Sequence, residues 1–226
     1  MITELVYLML TEILKRKTVH LAYLEGCTGL TRDLLVDLLN GFPVRFNEDQ
    51  VVVVDAADLL LACWKRGFDP VRLALKAEWK DFEILCAKAL AEYGFRALTH
   101  VRLKREKRIF EIDVVAFNYP RILAVECKRW TRLRLGGLKT AARQQKLKCE
   151  ILAKRLTSIH SLRGFTEGWD KAKIIPALVN LHEGDVKIFE GVALVPLYKL
   201  KCFLNELPSY EEELFNIHLT LSERVR

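Results

Sequence analysis

With 226 residues, 51% of them hydrophobic and 29% charged, the chain has the composition of a globular protein and the length for one large or two small domains. Its net charge is +7, and its longest apolar stretch, residues 51–63, contains Asp55 and Asp58, which excludes a membrane span there. The N-terminus has neither a basic start nor a small-residue cleavage site, so we expect no signal peptide and no membrane partner.

The positive charge is concentrated in one quarter of the chain. Residues 95–150 hold 15 basic and 5 acidic residues, whereas residues 1–70 hold 7 basic and 10 acidic ones. A concentrated basic segment is typical of a protein that binds a polyanion, although a solvated basic face without any partner explains the same counts.

The cysteines favour a reducing compartment over a disulfide framework. There are six, no two are spaced as CxxC, and several stand in apolar runs. We therefore predict scattered buried thiols, no zinc site and a cytoplasmic protein.

The first 70 residues have the pattern of a small, mainly helical domain. Apolar spacing and turn residues predict helices over 2–17, 21–25, 31–39 (with Thr31 as N-cap) and 55–66, and a β-hairpin over 42–54 that turns at 47–49. Three helices followed by a hairpin resemble a winged helix. We place the domain boundary at residues 67–70, where glycine and proline interrupt the pattern.

From residue 71 onward, helical and strand patterns alternate. The predicted elements are a helix from about 71 or 78 to 93, strands at 96–103, 108–117 and 122–128, a helix at 138–156, strands at 173–181 and 191–197, and a helix at 200–207. A helix, a three-stranded meander, another helix and a further strand form an α/β core with a mixed central sheet. The sequence therefore predicts two domains, residues 1–70 and residues 71–226.

Two acidic residues lie inside apolar strand patterns of the second domain. In the strand 122–128, alternation places Glu126 and Lys128 on one face and the residue between them in the core. Asp113 interrupts the apolar run of the preceding strand. If the two strands are antiparallel neighbours, Asp113 and Glu126 come together near one end of the sheet. Two nearby carboxylates repel each other, and a divalent cation removes that penalty.

An acid two residues before a lysine is a common spacing, so its context decides its value. This spacing occurs three times in the chain, with Glu78, Glu126 and Asp185 as the acids. Glu78 stands in a helical pattern, where residues two apart do not share a face, and Asp185 follows a turn with no apolar strand before it. Glu126 alone combines a strand, an upstream strand acid and the basic segment.

Asp113 and the sequence VECKRW at 125–130 resemble the active-site signature of the restriction-endonuclease-like PD-(D/E)xK nuclease superfamily. The segments WKDFE at 79–83 and YGF at 93–95 resemble the helix that precedes the meander in that family, with Glu83 as its acid. The likeness is closest to Mrr-like restriction endonucleases and archaeal Holliday-junction resolvases, and it covers residues 78–200. One departure is that no proline precedes Asp113. The resemblance implies a restriction-endonuclease-like core, with a mixed central sheet flanked by helices, behind the winged-helix-like module.

The resemblance also implies an activity, which is divalent-metal-dependent cleavage of DNA, most simply by an endonuclease. Asp113, Glu126 and the backbone carbonyl of Cys127 would hold Mg²⁺ or Mn²⁺, with Glu83 binding directly or through a water. Lys128 would orient the attacking water and balance the charge of the transition state, giving a 5′-phosphate and a 3′-hydroxyl. The alternative for the acids is that they are surface or strand-end charges paired with nearby basic side chains.

Ten further residues are predicted to contact nucleic acid, from a basic hairpin turn, from the loop after the active strand and from the following helix. They are Lys104, Arg105, Lys107, Arg108, Arg129, Trp130, Arg132, Arg134, Arg143 and Gln144. The basic side chains would contact phosphates and Trp130 would stack on a base. A solvated hairpin tip and a Trp130 packed in the core are the alternatives.

The winged-helix-like module is a weaker candidate for DNA contact. Its third helix carries Arg32 but also Asp33 and Asp37, and the module as a whole is net acidic. Because phosphate contacts supply most of the non-specific affinity for DNA, we favour a positioning or protein-contact role, such as homodimerisation, over groove recognition.

Three functions are therefore open. The first is a metal-dependent DNA nuclease, the second a catalytically inactive DNA-binding or regulatory protein on a nuclease fold, and the third a protein-interaction adaptor. We favour the first because all four active-site positions of the resembled family, Glu83, Asp113, Glu126 and Lys128, are filled.

Overall fold

The chain divides into two compact units between Leu85 and Cys86, inside a helix. The computed structural model describes residues 2–181 and 184–221. The domain boundary predicted at residues 67–70 stays a prediction. Within the described ranges, no helix is both long enough and apolar enough to pass through a bilayer.

The first unit consists of helices and a small antiparallel sheet. Its elements are α1 (Ile2–Arg16), β1 (Thr18–His20), α2 (Leu21–Thr28), α3 (Arg32–Leu39), β2 (Val44–Asn47), β3 (Gln50–Val53), α4 (Ala56–Lys65), α5 (Pro70–Ala74) and α6 (Trp79–Ala91), which continues into the second unit. The strands pair in the order β1-β3-β2. The winged-helix assignment of this unit stays a prediction.

Local sequence accounts for these elements with a few differences from expectation. The core face of α1 carries Val6, Leu10 and Ile13, the spacing of an amphipathic helix. Thr31 occupies the N-cap position of α3, but its side chain makes no capping hydrogen bond, so the predicted cap is wrong in that respect. Asp55, by contrast, caps α4 by accepting a hydrogen bond from the backbone N–H of Asp58 at 3.0 Å.

A buried carboxylate ties α1 to α2. Glu12 is 9% exposed and accepts hydrogen bonds from Lys15 at 2.8 Å, Arg16 at 3.1 Å and the hydroxyl of Tyr23 at 3.1 Å. The bonds from Lys15, and then from Arg16, lower the pKa of Glu12 from 4.5 to about 2 against the opposing effect of burial. Glu12 therefore stabilises the fold in its charged form.

The second unit is built on a mixed sheet. After α6 come β4 (Arg96–Arg105), β5 (Arg108–Asn118), β6 (Arg121–Lys128), α7 (Leu135–Arg155), α8 (His160–Arg163), β7 (Lys171–Asn180), β8 (Lys187–Phe189), β9 (Val192–Pro196), a 3₁₀ turn (Leu197–Lys199), α9 (Leu200–Tyr210) and β10 (Ile217–Thr220). The strands follow the order β4-β5-β6-β7-β9-β8, and β10 pairs with β7. β6, β7 and β9 are parallel to one another and the other pairs are antiparallel. The predicted α/β class with a mixed sheet flanked by helices is confirmed.

Helix α7 packs on this sheet and closes its core. Leu138 and Ala142 near its start lie in a cluster with residues of β7 and β9, whereas Cys149 and Leu152 join a second cluster with residues of β4, β5 and β6. The helix begins at Leu135, whereas a start at residue 138 was predicted. The prediction placed Gly136 and Gly137 in a loop because glycine disfavours helix interiors. The helix expected from 71 or 78 to 93 is two helices, α5 and α6.

All six cysteines are free thiols, but Cys27 and Cys202 are exposed, so the prediction of buried thiols is right for four of them and wrong for two. All six lie in the described residues and none forms a disulfide. Four of them, called here the buried thiols, are inaccessible: Cys63, Cys86, Cys127 and Cys149. Burial raises the pKa of Cys63 to about 12 and raises that of Cys149 as well, which makes both poor nucleophiles.

Candidate active site

Glu126 and Lys128 lie at the carboxyl end of β6 and share a face. The strand is buried except at these two positions and its first residue, which are half-buried. Alternation along the strand therefore directs both side chains away from the core that Cys127 enters. The predicted orientation of this strand agrees with its burial pattern.

Asp113 stands at a break in the strand pairing. Among the described residues, the ladder between β4 and β5 omits the pair His100 and Asp113, and His100 has a left-handed φ of 55°. On the other side of β5, pairing with β6 ends at Val114 and Val125. Beyond that point the side chain of Asp113 replaces the ladder, because its Oδ2 accepts a hydrogen bond from the backbone N–H of Cys127 at 2.8 Å. Asp113 thus meets the peptide that joins Glu126 to Cys127.

Both oxygens of the Glu126 carboxylate face ammonium groups. Lys128 Nζ lies 2.7 Å from Oε1, and Lys148 of α7 donates to Oε2. The side chains of Glu126 and Lys148 are 13% exposed and that of Lys128 is 27% exposed. A carboxylate this far from solvent needs such partners, since removing it from water is costly when it is unpaired.

Helix α7 contributes a second polar residue. Gln145 is 1% exposed, and its side-chain amide donates to the backbone carbonyl of Ala124 on β6 at 2.7 Å. Its Oε1 is buried and, within the described part of the chain, accepts no hydrogen bond. Gln144, which the sequence analysis selected on this helix, is exposed instead. Neither Gln145 nor Lys148 was predicted.

Glu83 lies on α6, in the first unit, whereas the other three predicted catalytic residues belong to the second. It is 4% exposed and accepts a hydrogen bond from the indole N–H of Trp79, one helical turn earlier. A buried acid on a helix is costly without such a partner. Its predicted part in the site stays a prediction.

The residues predicted to contact nucleic acid lie on three parts of the second unit. Lys104, Arg105, Lys107 and Arg108 are all exposed at the turn between β4 and β5. Arg132, Arg134 and Arg143 are also exposed, and Arg143 lies 3.9 Å from the carboxylate of Glu190. Arg129 and Trp130 are half-buried, and Trp130 packs against the core cluster that includes Leu138. Whether they bind nucleic acid stays a prediction.

The oxygen donors at this end of the sheet suit a hard divalent cation. Magnesium is commonly held by one or two carboxylates, with water and substrate phosphates completing its shell. Asp113, Glu126 and the Cys127 carbonyl have that chemistry. Within residues 2–181 and 184–221, no group of three or more His, Cys, Asp or Glu side chains is placed to hold a metal. Two carboxylates and one backbone carbonyl have the oxygen chemistry of a partial shell of this kind.

Comparison with known proteins identifies the segment that carries these residues. Residues 74–145 match the Mrr_cat family, described as a restriction endonuclease, and the matched segment contains all four predicted catalytic residues. The resemblance predicted from the sequence is thereby confirmed for this segment, and it indicates a nuclease. The winged-helix-like module lies outside the match.

Individual relatives add little about activity. An uncharacterized protein of Archaeoglobus fulgidus is 26% identical over 137 residues, which are 60% of this chain and 95% of that protein. A crystal structure of AF1548, a protein of unknown function, is 26% identical over 43% of this chain, with a TM-score of 0.31. The crystal structure of protein VC1899 from Vibrio cholerae is 13% identical over 93% of this chain, with a TM-score of 0.29. The chain covers 44% of each of these two solved chains, and such scores do not establish a shared fold.

Proposed function

Since residues 74–145 match the Mrr_cat restriction endonuclease family, we propose that this protein is a divalent-metal-dependent deoxyribonuclease that hydrolyses phosphodiester bonds within DNA. The observation that supports the proposal most directly is the hydrogen bond from the backbone N–H of Cys127, next to Glu126, to the Asp113 carboxylate. Asp113 is thereby bonded to the backbone beside Glu126, whose carboxylate pairs with Lys128. A structural ion pair alone requires Glu126 and Lys128 but gives no reason for Asp113 to interrupt the sheet.

Each residue of the site has a distinct task in this proposal. Asp113, Glu126 and the Cys127 carbonyl hold Mg²⁺ or Mn²⁺, and Glu83 completes the shell directly or through water. The bound ion supplies Lewis acidity and a more acidic water. Lys128 orients the attacking water and neutralises charge that develops on the phosphate oxygens. The bond from Cys127 to Asp113 fixes the carboxylate before substrate arrives, which removes the cost of ordering it later.

The wider protein surface has proposed tasks as well. The exposed basic residues of the β4–β5 turn, together with Arg129, Arg132, Arg134 and Arg143, contact the phosphates of DNA, and Trp130 packs between the core and a base. The first unit serves as a protein-contact module, with homodimerisation as its simplest form. We place the protein in the cytoplasm, in keeping with its free thiols.

Cleavage of supercoiled plasmid in Mg²⁺, Mn²⁺ or EDTA tests the activity. Wild type should nick or linearise the plasmid with either metal and leave it intact in EDTA. Asp113→Asn and Lys128→Met should each slow cutting by about 100-fold or more, the usual cost of removing one group that stabilises a transition state.

The chain contains its own control for this experiment. Asp185 and Lys187 repeat the acid-x-lysine spacing at exposed positions. Asp185→Asn and Lys187→Met should therefore cut like wild type. Cutting that survives Asp113→Asn would refute the site, whereas metal-independent, salt-sensitive binding without cutting would favour an inactive DNA-binding protein. Neither binding nor cutting would favour an interaction adaptor.

A further inference from the structure

A basic cleft lies between the β4–β5 turn and the last two turns of α7, at a distance from the catalytic residues. Its volume is about 240 Å³. We call it the hairpin–helix cleft, and the charged side chains that line it are Lys104, Arg105, Glu106, Glu150, Lys154 and Arg155. Pockets that enclose drug-sized ligands have roughly 300–1,000 Å³, so this cleft suits a small ion or group.

The four cations of the cleft are available to a ligand. Within residues 2–181 and 184–221, neither Lys104 nor Arg105 forms an ion pair, and the same holds for Lys154 and Arg155. The cleft acids do not neutralise them at close range, although Glu150 is their neighbour in the lining. With four cations and two acids in its lining, the cleft carries a net positive charge.

A purely structural account explains half of this arrangement. Basic residues in the last turn of a helix interact favourably with the helix dipole, which accounts for Lys154 and Arg155 on α7. The dipole of α7 does not explain why Lys104 and Arg105, at the end of a strand, line the same cleft. Cations that line one cleft from two separate elements are suited to an anionic ligand that both elements contact.

The position of the cleft relates it to the catalytic carboxylates. Arg108, at the start of β5, is five residues from Asp113, which is roughly 17 Å along a strand. Lys154 is six residues from Lys148, which is roughly 9 Å along a helix. Successive phosphates of one B-form strand are about 3.4 Å apart along the axis, so these separations span about three to five nucleotides.

We infer that the hairpin–helix cleft binds a backbone phosphate of DNA about three to five nucleotides from the bond that is cut. This inference rests on the proposed function for the identity of the polyanion. The cleft is not part of the catalytic machinery. It anchors the strand at a second point and so fixes the position of the scissile phosphate over Asp113 and Glu126.

Binding of a fluorescein-labelled DNA duplex in EDTA, followed by anisotropy over a range of KCl concentrations, tests the cleft without cutting. Lys154→Ala combined with Arg155→Ala should weaken binding by about tenfold and reduce the slope of log affinity against log salt by about one to two. Lys187→Ala combined with Lys201→Ala removes the same charge from exposed positions elsewhere in the second unit. Equal losses in both double variants would overturn the inference.

A gain of affinity excludes misfolding as the explanation. Glu150→Gln removes an acid from the cleft and should tighten binding by about three- to tenfold, the effect of a unit charge several ångströms from a phosphate. Glu167→Gln, at an exposed site outside the cleft, is the matched control and should bind like wild type. No gain in Glu150→Gln, or the same gain in both, would overturn the inference.

Duplexes with and without 5′-phosphates distinguish the two sources of a phosphate group. An internal backbone phosphate predicts the same loss in the Lys154 and Arg155 variant for both duplexes, and a loss confined to the phosphorylated one would overturn the assignment. Failure of the proposed function is a separate result. A wild type that does not cut in Mg²⁺ or Mn²⁺, yet shows these binding changes, would refute the nuclease and retain the cleft.

Discussion

Replacing Lys148 by methionine tests how the chain stabilises Glu126. Methionine keeps most of the length and the apolar stem of lysine and removes only the ammonium group. The Glu126 carboxylate, 13% exposed, then keeps its ion pair with Lys128 and loses its contact with α7. The substitution therefore isolates one ion pair inside the candidate site.

The size of the effect follows from the geometry. The attraction between Glu126 and Lys128 at 2.7 Å is about 6 kcal/mol at an effective dielectric constant of about 20, and the shorter contact with Lys148 is of similar size. Desolvation of the charges cancels most of this, and hydrogen bonds to charged groups contribute about 1.5–3 kcal/mol net. We expect Lys148→Met to lower the free energy of unfolding by about 2 kcal/mol, or about 4–8 °C in Tm.

Urea unfolding in EDTA, followed by circular dichroism, measures this loss. Lys139→Met is the control, because Lys139 is an exposed lysine of the same helix, and it should change stability by less than about 0.5 kcal/mol. If a cation binds Asp113 and Glu126, saturating Mg²⁺ should stabilise Lys148→Met more than wild type, since the ion replaces the missing positive charge.

Unfolding of Lys148→Met at the same urea concentration as wild type would refute this reasoning. It would mean that solvent and Lys128 stabilise the Glu126 carboxylate enough for the ion pair with Lys148 to add nothing to the free energy of unfolding. A loss equal to that of Lys139→Met would have the same meaning. Either result would remove the energetic link between α7 and the carboxyl end of β6.

Three further predictions concern the rest of the fold. Because the pKa of Glu12 is lowered from 4.5 to about 2, its stabilisation is complete above about pH 4.5 and is lost as the pH falls towards 2. Glu12→Gln should cost about 1 kcal/mol at pH 7 after solvent screening of its partners, and urea unfolding against pH should show a flatter acid limb. A chromogenic disulfide at pH 8 should label the exposed cysteines promptly and the buried thiols only on unfolding; rapid labelling of all six would contradict the burial. Gly191→Ala should lower the free energy of unfolding in urea by about 2 kcal/mol or more. The reason is that φ at Gly191 is 77° and that an added Cβ would lie 2.9 Å from the backbone nitrogen of Phe215. Unchanged stability would show that the loop adjusts freely.

The central strands could be predicted from the sequence because each is a nearly continuous apolar run bounded by turn residues. β5 and β6 differ from the predicted ranges by a residue at an end. The short strands β1, β8 and β10 were missed, since three or four residues with mixed polarity carry too little pattern to distinguish them from loops. The partners of β1 and β10 are distant in the chain, whereas β8 pairs with the neighbouring strand β9 across a short turn.

The candidate site was predictable in part. The face shared by Glu126 and Lys128 follows from strand alternation alone. Gln145 could have been found, because it continues the stripe of buried residues on α7 that includes Leu138, Ala142 and Cys149, where a polar residue is unusual. The bond between Asp113 and Cys127 could not have been found, because it depends on where two strands separate, and no local pattern encodes that point.

The hydrogen bond from the Cys127 amide to Asp113 gives the protein a spectroscopic reporter within its site. An amide proton held by a side chain exchanges with solvent at a rate that depends on that side chain's position, unlike one held inside a regular ladder. Any ligand that draws the Asp113 carboxylate towards itself will alter the exchange rate and the chemical shift of this one proton. Occupancy of the site can therefore be followed at a single backbone position, without substrate turnover.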